Sequence, residues 1–203
     1  MSKLPQEFYQ RENVLTISRD LLGKVLCTNF NGKLTSGIIV ETEAYAGETD
    51  RASHAYGGRR TNRTETMYAS GGTAYVYLCY GIHNMFNVVT NKEKNPHAVL
   101  IRAIEPIRGF DIMLKRRSLK NVSFKLTAGP GILSQAMGIS VDISGQSLLD
   151  EHIWIENIHN KPIENENIKI ISRPRVGIQY AGKDASNLWR FQIEGNPWVS
   201  SAI

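Results

Sequence analysis

Residues 24–42 read KVLCTNFNGKLTSGIIVET, and this stretch decides the fold. Residues 24–30 and 34–42 run apolar or alternate. The Asn31-Gly32 pair between them is the dipeptide that most readily supplies two positive-φ residues to a tight hairpin turn. The spacing therefore predicts two neighbouring antiparallel strands. Strand character returns at 73–80 (TAYVYLCY), 86–90 and 98–104, and again at 168–171, 176–179 and 188–193. Helices are fewer. Ile17, Leu21 and Leu22 share one face of a helix over 14–22 that Gly23 ends, and a second helix is predicted over 107–117. A third, over 128–138, has Pro130 near its start and Gly138 where a cap belongs. Runs of strands with helices not interleaved as βαβ units predict an α+β fold: one domain over 1–203, built on a mostly antiparallel curved sheet with flanking helices.

With 203 residues, 41% of them hydrophobic and 21% charged, the chain has enough apolar mass for a real core, which excludes wholesale disorder. No apolar run reaches the length of a membrane span, and the polar N-terminus does not read as a secretory signal. Cys27 and Cys79 are too few for a zinc site or a disulfide framework, so a reducing cytoplasm is expected. The charge is unevenly placed. Residues 51–130 hold thirteen Lys/Arg against four Asp/Glu, a net of +9, whereas 1–50 and 131–203 each carry −2. One polyanion-facing surface on an otherwise slightly acidic protein gives that distribution.

Glu41-Thr42-Glu43-Ala44-Tyr45 closes the second strand. Alternation puts Glu41, Glu43 and Tyr45 on one face, an acid/base platform of two carboxylates and a phenol or else a solvated strand end. Six of the eight tyrosines fall between Tyr45 and Tyr80, interleaved with Arg59, Arg60 and Arg63. Base stacking beside phosphate contacts needs that combination. In TAYVYLCY, Tyr75, Tyr77 and Cys79 face one way and Val76, Leu78 and Tyr80 the other. Between Lys33 and Lys92 there is no lysine, so this segment offers no amine for a Schiff base, and an activated water is the expected nucleophile for any glycosidic bond it cleaves. The histidines show no metal-ligand spacing, and Walker and nucleophile-elbow motifs are absent.

The strings ETEAYAGETDRASHAYGGRRTNRTETMY, GGTAYVYLCYGIHNMFNVV and AVLIRAIEP, followed by LTAGPGILSQAMGI, SRPRVGI, LWRF and GNPWVS, resemble the alkyladenine (3-methyladenine) DNA glycosylase family, in its single-domain form. The likeness runs colinearly over about residues 15–200. It implies a monofunctional enzyme that flips a damaged purine out of double-stranded DNA and hydrolyses its N-glycosidic bond, as a monomer and without metal or other cofactor. Carried over by position, Glu43 matches the carboxylate that activates water. Arg102 and the main-chain carbonyl of Val176 match the groups that help hold that water. Tyr45 matches the ring on one face of the flipped base, and His54 and Tyr77 the groups on the other. Asn87 matches the asparagine that crowds the 2-amino group of guanine, and Tyr80 the wedge that fills the gap in the stack. Arg59, Thr61 and Met67 match DNA-facing positions. The sequence departs from the family at residues 82–83 and 90–97 and lacks the N-terminal extension of mammalian forms, which implies a bacterial, nucleoid-associated version. A lesion-binding protein that does not cut and a hydrolase of RNA or free nucleosides are the competing readings.

Overall fold

A computed structural model describes residues 2–158 and 168–201. The hairpin forms as the sequence predicts: β1 (Val25–Phe30) pairs antiparallel with β2 (Lys33–Tyr45) through Asn31 and Gly32 at φ of 54° and 72°. The remaining strands are β3 (Ala74–Cys79), β4 (His83–Thr90), β5 (His97–Arg108), β6 (Ile153–Glu156), β7 (Ile170–Arg173) and β8 (Arg190–Ile193). Among the described residues they make one eight-stranded antiparallel sheet in the order β3-β4-β5-β2-β1-β6, with β8 pairing β2 and β7 pairing β8. Among the described residues four α-helices flank it: α1 (Gln6–Tyr9), α2 (Val14–Asp20), α3 (Phe110–Arg117) and α4 (Pro130–Met137). The expected α+β class stands.

The helix ends follow from local chemistry. Asn13 Oδ1 accepts from the N–H groups of Leu15 (3.0 Å) and Thr16 (3.1 Å), capping α2. Gly138 closes α4 in the left-handed conformation (φ 73°). Ile17, Leu21, Ile39, Phe86, Ile101, Ile104, Met113, Leu133 and Met137 fill the main core. Three expectations are corrected. The strand over 98–104 runs on to Arg108, so α3 begins at Phe110 rather than 107. The strand over 34–42 continues to Tyr45 because β8 and β5 pair with its far half. Residues 176–179 form a bend leading into a 3-10 segment and not a strand.

The longest pairing, β2 with β5, is irregular in a way that serves the site. Ile39 faces Ile104 and Glu41 faces Ala103, so Val40 is an extra residue on β2; Thr42 then faces Ile101, so Arg102 is an extra residue on β5. Bulges re-aim side chains without ending a strand. Here they bring Arg102 level with both Glu41 and Glu43.

Gly109 joins β5 to α3 at φ 78°, where a Cβ would lie 2.5 Å from the Leu34 carbonyl oxygen and 2.8 Å from Thr35 Cγ2. Gly109→Ala combines left-handed strain with overlap against backbone. We expect a loss of about 3 kcal/mol and a Tm lowered by roughly 6–12 °C in thermal unfolding; an unchanged Tm contradicts the packing described.

Candidate active site

β2 carries two carboxylates into the interior side by side, and both are 0% exposed. Glu43 Oε1 accepts from the Val176 backbone N–H (2.8 Å) and pairs with Arg102 Nη1 (3.2 Å), while Oε2 accepts from the Tyr45 hydroxyl (2.8 Å). Every partner is a donor or a cation, the set that a carboxylate satisfies. Glu41 lies behind it. Burial works to raise the Glu41 carboxyl, but Arg102, Ser200 and Gln192 outweigh burial and hold it below the usual carboxylate range. Arg102 in turn is lowered by burial and raised more strongly by Glu43 and Glu41.

Glu43 lines a cavity of about 480 Å³, a size suited to a small organic ligand. Tyr45, His54, Tyr77, Asn87, Arg102 and Val176 also line it, so the fold brings together residues spread over more than 130 positions. The Tyr45 phenol is pushed far up by burial and by the charge of Glu43. Its ring is fixed from outside the cavity: the Arg175 guanidinium lies 4.9 Å from the ring centres of both Tyr45 and Trp189. Arg175 also pairs with Asp50 through two nitrogens, at 2.6 and 2.9 Å. The same ion pair ties the 50–54 loop to the 174–178 segment, and hence His54 to Val176.

His54 and Tyr77 meet edge to face with ring centres 4.6 Å apart. His54 Nδ1 lies 2.8 Å from the Tyr75 hydroxyl and Nε2 lies 3.4 Å from Arg63 Nη2. Since a guanidinium only donates, Nε2 is the acceptor and Nδ1–H donates to Tyr75, a tautomer assigned from the network. Burial, with Arg63 and Arg59 adding to it, pushes His54 down to about 4. Tyr75 itself is core, as a plain packing residue, but it orients His54. Asn87 donates both amide hydrogens to its own sheet, to the carbonyls of Tyr75 (3.2 Å) and Met85 (3.1 Å), so its amide plane is fixed at the cavity wall.

At the mouth, Tyr80 is 90% exposed at the β3–β4 tip, at φ 51°. A non-glycine residue in that region with its ring in solvent is a strained feature of the kind found at functional sites. Tyr180, outside the sequence-derived set, stands opposite and donates to the Ala52 carbonyl (3.2 Å). Arg59 and Thr61 are exposed beyond His54. Met67 is 2% exposed, packed with Ala55, Tyr68 and Tyr75, and lines the cavity rather than the outer surface. The basic segment also divides. Arg102 is buried in the site, and Arg116 and Arg117 bond α4 through the Ala136 carbonyl and Gln135, while Arg59 and Arg63 remain near the mouth. Among the described residues, no three His, Cys, Asp or Glu side chains form a metal-holding group; His159 lies outside them.

The family profile described as methylpurine-DNA glycosylase matches residues 7–197, which span every wall of this cavity. The chain belongs to the methylpurine-DNA glycosylase family. It is therefore an enzyme that acts on DNA. Curated relatives named "Putative 3-methyladenine DNA glycosylase" agree over the whole length. Those of Natranaerobius thermophilus (47% identical, 98% of each chain), Chlamydia felis (47%, 94% of this chain and 95% of the relative) and Clostridium acetobutylicum (45%, 98% and 97%) are examples. No described helix is long and apolar enough to cross a membrane.

A histidine held neutral in the fold but free to charge when unfolded opposes stability in acid. The unfolded chain binds the extra proton between pH 6.5 and 4, so stability rises with pH through that window, by up to about 3 kcal/mol. NMR titration of the His54 ring should give a midpoint about 4, and His54→Gln should flatten this part of the stability profile; a midpoint near 6.5 contradicts the burial and charge described.

Proposed function

We propose that this glycosylase flips alkylated or otherwise modified purines, 3-methyladenine among them, from duplex DNA and hydrolyses the N-glycosidic bond with a water activated by Glu43, leaving an abasic site. One observation carries the reading. A carboxylate held by Arg102, Tyr45 and the Val176 N–H lines the same cavity as the rings of Tyr45, His54 and Tyr77. Rings on both sides suit a flat base, and a neutral His54 places no positive charge against a cationic methylpurine, which electron-rich rings attract.

In the chemical step, the water oxygen bonds to C1′ of the deoxyribose and the C1′–N electron pair leaves with the purine. The proton shed by water passes to Glu43, whose negative charge also stabilises oxocarbenium character at the sugar. A cationic methylpurine departs as a neutral base, whereas a neutral lesion needs a proton as it leaves. In this structure the Tyr45 hydroxyl donates to Oε2. A base inserted against the Tyr45 ring displaces that hydroxyl, and water takes its place. Fixed as it is, Asn87 limits what the base edge can carry. Tyr80 fills the space that the base vacates, a task with meaning in a duplex and none for a free nucleoside. Arg59, Thr61 and Arg63 face the backbone near the mouth. All these groups come from one chain, so the reading calls for a monomer and for no metal or organic cofactor.

Glu43→Gln should abolish base release from methylated duplex DNA in single-turnover assays and leave duplex binding within a few-fold of wild type; retained release refutes the role of Glu43. Tyr80→Ala should weaken lesion-duplex binding by about 1–3 kcal/mol, the worth of one stacked ring, in fluorescence titrations; unchanged affinity removes the wedge from the account.

A further inference from the structure

The second carboxylate of β2 has no part in the step above, yet it accepts four hydrogen bonds. Glu41 Oε1 accepts from Arg102 Nε (3.1 Å), Arg190 Nη1 (3.1 Å) and Gln192 Nε2 (3.0 Å), and Oε2 accepts from the Ser200 backbone N–H (2.8 Å). Two strands, β5 and β8, and the C-terminal segment thus converge on one buried anion of β2. The guanidinium that Glu41 holds also touches Glu43. Arg102 spreads its nitrogens over three partners: Nε to Glu41, Nη1 to Glu43 Oε1 (3.2 Å) and Nη2 to Ser200 Oγ (3.3 Å).

A guanidinium next to a single carboxylate tends to pair fork to fork, two nitrogens on two oxygens. A clamp of that kind on Glu43 would engage Oε2 as well as Oε1. Water needs Oε2. The structure instead ties Arg102 Nε to Glu41, and the bulge at Arg102 places the side chain where it reaches both carboxylates.

We infer that Glu41 is a positioning residue for base excision: by holding Arg102 through Nε it limits that guanidinium to one contact with Glu43 and keeps Oε2 open to the nucleophilic water. The inference rests on the function proposed above and adds the residue that keeps its carboxylate usable. Glu41 touches neither base nor sugar and acts through Arg102 alone.

The test measures single-turnover base release, lesion-duplex affinity and thermal unfolding for wild type, Glu41→Gln, Arg102→Lys and the double variant. Glu41→Gln should slow release by about 10- to 100-fold, the scale of a misaligned reacting group, with affinity for the lesion duplex within twofold of wild type. Arg102→Lys keeps the charge but loses the fork, so the double variant should be no slower than Arg102→Lys alone, a non-additivity that marks action through one shared partner. Glu41→Asp keeps the buried charge and withdraws it from Arg102; it should give an intermediate slowing and carries the test where Glu41→Gln does not fold. Wild-type rates in both Glu41 variants, or losses that multiply in the double variant, overturn the inference. Absence of base release by the wild-type protein itself on every modified purine tested would instead overturn the function on which the inference rests.

Discussion

Two carboxylates two residues apart on one strand, both sealed from solvent, repel each other unless positive charge lies between them. Arg102 supplies that charge, and Arg190 adds a second cation to Glu41. Much of the architecture around β2 answers this constraint. The bulges at Val40 and Arg102 bring the guanidinium level with both anions, β8 contributes Arg190 and Gln192, and the C-terminal segment contributes Ser200. Buried ion pairs add little stability over apolar packing. Here they orient the Glu43 carboxylate at the wall of the cavity, where the proposed reaction needs it.

The aromatic walls are built on the same logic of fixing from behind. Tyr45 is backed by Arg175, itself locked to Asp50, and His54 is held by Tyr75 and Arg63. Held in this way, His54 does not have to be ordered by a ligand, which lowers the entropic cost of binding one. Tyr80 is the contrast, with its ring free in solvent at a strained turn. Braced walls inside and an exposed ring at the mouth suit the base flipping proposed above.

Much of this was legible in the sequence, and the exceptions share a cause. The Asn31-Gly32 turn, the capped ends of α2 and α4, and the common face of Glu41, Glu43 and Tyr45 follow from local rules of period and dihedral. The extra residues at Val40 and Arg102 do not, because a bulge is a property of two strands and not of one. Nor does the Arg175–Asp50 pair, which joins positions 125 residues apart. Val176 read as part of a strand by its apolar neighbours; its backbone is instead drawn into a bend from which its N–H reaches Glu43. The basic segment gave the right polarity for a DNA-acting enzyme but could not show which cations serve the interior.

On the function proposed above, Glu43 Oε2 passes from the Tyr45 hydroxyl to a water when a modified purine enters the cavity. A crystal structure of the wild-type enzyme on a duplex whose lesion carries a 2′-fluoro group, which slows glycosidic cleavage, tests it most directly. The base should lie between Tyr45 and the His54–Tyr77 pair, with the Tyr45 hydroxyl withdrawn from Oε2 and a solvent oxygen within about 3 Å of Oε2 on the side facing C1′. A bound base with the hydroxyl still on Oε2, or with the carboxylate oxygen itself against C1′ and no solvent between, would contradict it.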